Sequence, residues 1–90
     1  MAHVNRDKKK LLSRVRRIQG QLTALETALN GDVDCTGILV QIAAAKGAIH
    51  GLMIEVLAGH LAAHVAGETS PRKRSDEAER LIELLRHYSK

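Results

Sequence analysis

From Thr36 to Ala66 the chain carries only two formal charges, Lys46 and Glu55. Within this stretch Ile38, Ile42, Ala45, Ile49, Leu52 and Val56 follow one another in steps of four and three, the period of a helical seam. A second apolar flank carries Leu39, Ala43, Met53, Leu57 and Leu61. A helix of roughly 30 residues is about 45 Å long. Apolar on several sides, it exceeds what one amphipathic partner covers. Its middle is rich in small residues (Ala43, Ala44, Ala45, Gly47, Ala48 and Gly51), which let another helix cross closely. The rest of a 90-residue chain cannot bury it, so the sequence requires an obligate helical oligomer.

The flanking segments read as two more helices. Leu11, Val15, Ile18, Leu22, Leu25 and Leu29 form a 4-3 seam over a first helix of about residues 5–30. Asn5 is its expected N-cap, with Asp7 in the first turn, and Gly31 its left-handed stop after Asn30. Gly20 marks a close approach of another backbone. Asp32 or Asp34 caps the second helix, about 34–66. Residues 67–74, with Gly67, Ser70 and Pro71, read as a linker. Ser75 then caps a third helix, about 75–88, whose apolar face is Ala78, Leu81, Ile82, Leu85 and Tyr88. The fold class is all-α, with a three-helix protomer and no β signals. One cysteine excludes an internal disulfide. A single Tyr, with no Trp or Phe, excludes an aromatic platform for single-stranded nucleic acid. No signal peptide is legible and no segment reads as a membrane span, so the expected location is the cytoplasm.

His60 and His64 stand four apart, which sets both imidazoles on one helix face within reach of one metal ion. At about 100° per residue, Cys35 points within roughly 40° of the same direction. Over the 25 residues from Cys35 to His60, one straight helix separates them by about 37 Å. They meet only if two copies of the helix pair antiparallel, about a two-fold centre near Ala48. Each site then takes Cys35 from one subunit and His60 and His64 from the other. His3, with the Ala2 amine once Met1 is removed, is a further candidate ligand. One thiolate with imidazoles and an amine suits Ni(II), Co(II) or Zn(II), and suits Cu(I) less. A catalytic Cys–His pair lacks an aligned acid, an oxyanion loop and a pocket, so no enzyme is expected. His50 and His87 have no such partners and read as ordinary structural or surface residues.

The net charge of +4 is unevenly spread. Residues 1–20 hold seven basic side chains against Asp7, a net of +6. Lys10, Arg14, Arg17 and Gln21 fall at spacings of four, three and four, one stripe down the first helix, with Arg16 further round. Cations in a row neutralise successive phosphates, and Arg and Gln read base edges, so double-stranded DNA is the expected partner.

The stretch Arg14-Val-Arg-Arg-Ile-Gln-Gly-Gln21, then Cys35, Gln41-Ile-Ala-Ala-Ala-Lys-Gly-Ala48, Gly51-Leu-Met53 and His60, resembles the CsoR/RcnR family of small all-helical bacterial repressors. The resemblance runs from His3 to about His64 and weakens beyond. It implies an antiparallel helix-two dimer, a tetrameric dimer of dimers, and operator binding through the basic first helices. It further implies release of DNA, and derepression of an efflux or detoxification gene, when an effector binds at the dimer interface. Among the branches, the copper branch has a second Cys where this chain has His64. The formaldehyde branch has an N-terminal Pro and typically Glu at that position, although its first helix resembles Arg14 to Ile18. The nickel/cobalt branch carries His3, Cys35, His60 and His64, all present here. The branch's namesake has acidic residues near these ligands, where this chain has Ala63 and Asp34. The resemblance thus implies a homotetrameric repressor released by Ni(II) or Co(II). Alternatives are a formaldehyde sensor using Cys35 and the N-terminal amine, or a Zn(II)/Cu(I) sensor of the same family.

Overall fold

The computed structural model describes residues 2–88, with only the backbone given for Ala2 and His3. All regular structure among them is helical: α1 (Ala2–Arg6), α2 (Lys8–Leu29), α3 (Cys35–Leu61) continuing through a π-helical turn (Ala62–Ala66), and α4 (Pro71–Tyr88). The all-α expectation holds, and the second helix spans nearly its expected range.

Three local expectations change. The first helix is interrupted at Asp7, which has non-helical ψ of 15° and makes no side-chain cap. Asn5 therefore lies within short α1 instead of capping a long helix. Asn30 ends α2 in the right-handed region, and no described glycine has positive φ. The Gly31 N–H bonds to the Ala28 carbonyl at 3.1 Å, so a tightened last turn replaces the left-handed stop. The last helix begins at Pro71, four residues before the expected Ser75. Pro71 starts it because a first-turn residue needs no N–H and proline's φ is already helical. Ser70 caps it, its Oγ accepting from the Lys73 N–H at 3.4 Å. By contrast Asp34 caps α3 as expected, its Oδ1 accepting from the Gly37 N–H at 2.9 Å.

α2 and α3 form an antiparallel hairpin, because Lys10 and Arg14 near the start of α2 meet Glu55 near the end of α3. Ile18 and Ala28 of α2 and Ala45 of α3 are buried in it. α4 folds back on the far end of α3 and buries Leu81. No other hydrophobic side chain is buried among the described residues. The protomer measures 57 × 30 × 13 Å, a slab one helix thick. Its radius of gyration is 17.3 Å, against about 12 Å for a compact chain of this length. It exposes 7081 Å², against about 5,200 Å² for a folded monomer of this mass.

The 32-residue helix from Cys35 to Ala66 reaches a mean hydropathy of 1.5 over 18 residues, long and apolar enough to cross a membrane. That corrects the expectation that no segment has this property. The same helix carries Glu55 ion-paired to α2, and the His pair facing Glu77 of α4. Within the described residues most of its apolar surface is left uncovered.

Candidate functional site

The π-helical turn is set by Gly67, whose N–H donates to the Ala62 carbonyl five residues back at 2.9 Å. A Cβ at Gly67 would stand 2.7 Å from that carbonyl oxygen, so only glycine fits without displacing the turn. The turn carries His64, and single π-turns inside helices recur at functional sites. His60, one turn earlier, lies with its ring centroid 4.7 Å from that of His64. Both rings are half-buried between the end of α3 and α4. Glu77 of α4 approaches His60, Oε2 to Nε2 at 3.2 Å. The groove beside them, about 510 Å³, is lined mainly by apolar side chains including Met53, Leu57, Leu81 and Tyr88.

The sequence places Glu77 in the first turn of the last helix and gives it no part in the site. Its signal is register: Glu77, Leu81, Leu84 and Tyr88 recur at steps of four, three and four, so this acid rides on the packing face of α4.

Cys35 is exposed at the opposite end of α3 from the His pair. Among the described residues no three His, Cys, Asp or Glu side chains gather as a metal site. The chain sets His60 beside His64 and Glu77 against His60, short of a three-ligand cluster, and does not bring Cys35 to them. The His3 side chain lies outside the described residues. Between the two ends, Leu39, Ile42, Ile49 and Met53 are 59%, 45%, 49% and 49% exposed. At about 100° per residue these four lie within roughly 40° of the direction shared by Cys35, His60 and His64. The Cys35 end and middle of the face that carries the candidate ligands are thus uncovered and apolar apart from Lys46, while α4 half-covers its His60 and His64 end.

The basic stripe divides in two. Arg16 and Arg17 are exposed and make no ion pair among the described residues. Lys10 and Arg14 instead turn toward α3, where both oxygens of Glu55 hold them at 3.3 Å. Gln21 departs from the stripe: it is half-buried, and its Oε1 is covered with no hydrogen-bond partner among the described residues.

Comparison with known proteins bears on this arrangement. The sequence model of a family of metal-sensitive transcriptional repressors matches residues 7–87. An uncharacterized protein in the bioA 5′ region of Serratia marcescens is 50% identical over the full length of both chains. A protein named transcriptional repressor RcnR from Citrobacter koseri is 43% identical, again over all of both chains. A solved structure of a Glu-to-His variant of the formaldehyde-responsive regulator FrmR, from Salmonella enterica serovar Typhimurium, superposes with a TM-score of 0.80. It is 50% identical, and the match covers 92% of this chain and 94% of that one.

Proposed function

The chain belongs to the metal-sensitive transcriptional repressor family, and we propose that it is a cytoplasmic repressor that binds operator DNA without metal and releases it on binding Ni(II) or Co(II). The observation that carries this reading is the paired His60 and His64, 4.7 Å apart and half-buried against α4, in the same helical direction as the exposed Cys35 and the exposed Leu39, Ile42, Ile49 and Met53. Antiparallel pairing of two α3 helices covers that face and brings the partner copy's thiol to the His pair. The uncovered area, about 1,900 Å² per protomer above the monomer norm, matches an obligate interface. Two such dimers make the homotetramer.

In this reading His60, His64 and the partner copy's Cys35 are ligands, with His3 and the Ala2 amine completing the set. The donor set of imidazoles with one thiolate fits Ni(II), Co(II) or Zn(II). The metal supplies a charge-bearing cross-link between protomers. Glu77 on the Nε2 of His60 has the arrangement of a carboxylate that fixes a ligand histidine, the ring's other nitrogen taking the metal. Lys10, Arg14, Arg16 and Arg17 contact phosphates. Gln21 joins them after turning its amide outward. If His3 also served as a ligand, a bound metal would favour an arrangement with α1 and the basic start of α2 held toward the His pair. An arrangement of α2 that no longer matches DNA follows, and DNA must then weaken metal binding by the same factor.

Relatives named RcnR support the metal reading. The structural likeness to FrmR favours a second, a formaldehyde sensor using Cys35 and the N-terminal amine. Titrating the protein on its own upstream DNA with Ni(II), Co(II), Zn(II), Cu(I) and formaldehyde separates them. Release by Ni(II) or Co(II), lost in Cys35→Ala, is the expected result. A complex that survives both ions but not formaldehyde, with a crosslink at Cys35 by mass spectrometry, replaces the metal reading.

A further inference from the structure

Between Asp34 and Glu68 the chain has one acidic residue, Glu55. It stands on an otherwise apolar helix, and it is fully engaged. Oε2 meets the Lys10 ammonium and Oε1 the Arg14 guanidinium, each at 3.3 Å. The Arg14 guanidinium also lies over Gly51, one helical turn before Glu55, where an added Cβ would come within 3.4 Å of Nη1. Gly51 and Glu55 thus form a shelf and a counter-charge for one cation of the basic stripe. Arg14 and Glu55 side chains are each 33% exposed and Lys10 is 61% exposed.

We propose that Glu55 is an intramolecular counter-ion that DNA phosphate must displace, so that it holds the operator affinity of the repressor below what its cations would otherwise reach. The inference rests on the reading of α2 as the DNA-binding helix. A carboxylate and a phosphate compete for the same N–H donors, and Glu55 adds a negative charge where a phosphate must approach. Arg16 and Arg17 meet no such competitor among the described residues, so they make the first phosphate contacts. Lys10 and Arg14 follow only on exchange of partner. Because Glu55 shares α3 with His60, a shift of α2 against α3 alters this exchange directly.

Partly exposed ion pairs contribute modestly, and release of two of them corresponds to roughly 2- to 30-fold in affinity per protomer engaged. The test measures binding of the full-length protein to a fluorescent duplex from its own upstream region, across a series of salt concentrations. Glu55→Gln is expected to bind within that range more tightly, with a steeper salt dependence. Glu55→Asp keeps the net charge but is too short to reach both cations, and should move in the same direction. Glu83→Gln, which removes an exposed acid on α4, should change affinity less than twofold. In a Lys10→Ala/Arg14→Ala background, Glu55→Gln should gain less than in the parent, since only the repulsion between carboxylate and phosphate is left to relieve. Equal or weaker binding by folded Glu55→Gln and Glu55→Asp, or an equal gain from Glu83→Gln, overturns the proposal. If Lys10→Ala/Arg14→Ala binds as tightly as the parent, these two residues are not DNA contacts, and the inference falls with that assignment. If the pair weakens binding but Glu55 changes do nothing, only the counter-ion role is rejected.

Discussion

Substituting Ile49 by lysine separates a chain that folds alone from one that folds against its copy. Ile49 is 49% exposed in the protomer and sits beside the midpoint between Cys35 and the His pair. In an isolated chain, Ile49→Lys forfeits about half of a full isoleucine burial, roughly 1 kcal/mol, or about 4–8 °C in Tm. Across an antiparallel α3 pair both copies of residue 49 lie near the two-fold axis, with Lys46 of each copy close by. Each new ammonium is then buried without a partner, at about 3–5 kcal/mol apiece, enough to weaken the dimer by at least 10⁴-fold. The assay is sedimentation equilibrium combined with thermal unfolding over a hundredfold range of concentration. For the parent protein, each tenfold dilution should lower Tm by about 4 °C for a dimer and 5–6 °C for a tetramer, from about 2.1 cal/mol/K per residue. Ile49→Lys should sediment as a protomer and lose most of its cooperative transition. A parent Tm independent of concentration, or an Ile49→Lys protein still assembled and only a few degrees less stable, would refute the reasoning.

Other consequences follow from the same geometry. Cys35→Ala should leave the helical circular dichroism of the metal-free protein unchanged, because within one chain the thiol is exposed and makes no packing contact of the fold. It should abolish thiolate-to-metal absorption on adding Ni(II) or Co(II). Asp34→Ala removes the α3 cap and should cost about 0.5–2 kcal/mol per protomer in chemical denaturation. Gly67→Ala places a methyl against the Ala62 carbonyl, so metal affinity should fall with the displaced His64 while DNA binding by the metal-free protein persists. Glu77→Gln should weaken metal binding by about 10- to 100-fold with the helical circular dichroism unchanged.

Helix periods and the α3 cap were legible because each depends on neighbours in sequence. The seam of α2 reads directly from Leu11, Val15 and Ile18, and Asp34 reads as a cap because its acceptor is three residues from Gly37. The break at Asp7 and the start of α4 were not. Pro71 was read as part of a linker, yet at a first helical turn proline is favourable, and only the capping by Ser70 decides between the two. The small residues of α3 were read as one crossing surface. The structure divides their roles: Ala45 is buried in the protomer, Gly51 carries the Arg14 guanidinium, and a Cβ at Gly47 meets nothing within 4 Å. Composition identifies small residues, but helical phase assigns the neighbour each one admits.

The candidate site was half legible for a related reason. His60 and His64 announce themselves by spacing, whereas Glu77 and Glu55 act across helices, and their partners follow only once the helices are placed. An acid on an apolar helix face is costly unless a cation or a hydrogen-bond donor meets it. Each of these two acids is met on the neighbouring helix, Glu55 by Lys10 and Arg14, Glu77 by His60. The two contacts stand at the same end of α3, one turned to α2 and one to the candidate ligands. Under the proposed function, a metal held by His60 and a phosphate that takes Arg14 from Glu55 would change the contacts on opposite sides of one helix. Coupling between them needs no path through the rest of the fold, only a change in how α3 lies between α2 and α4.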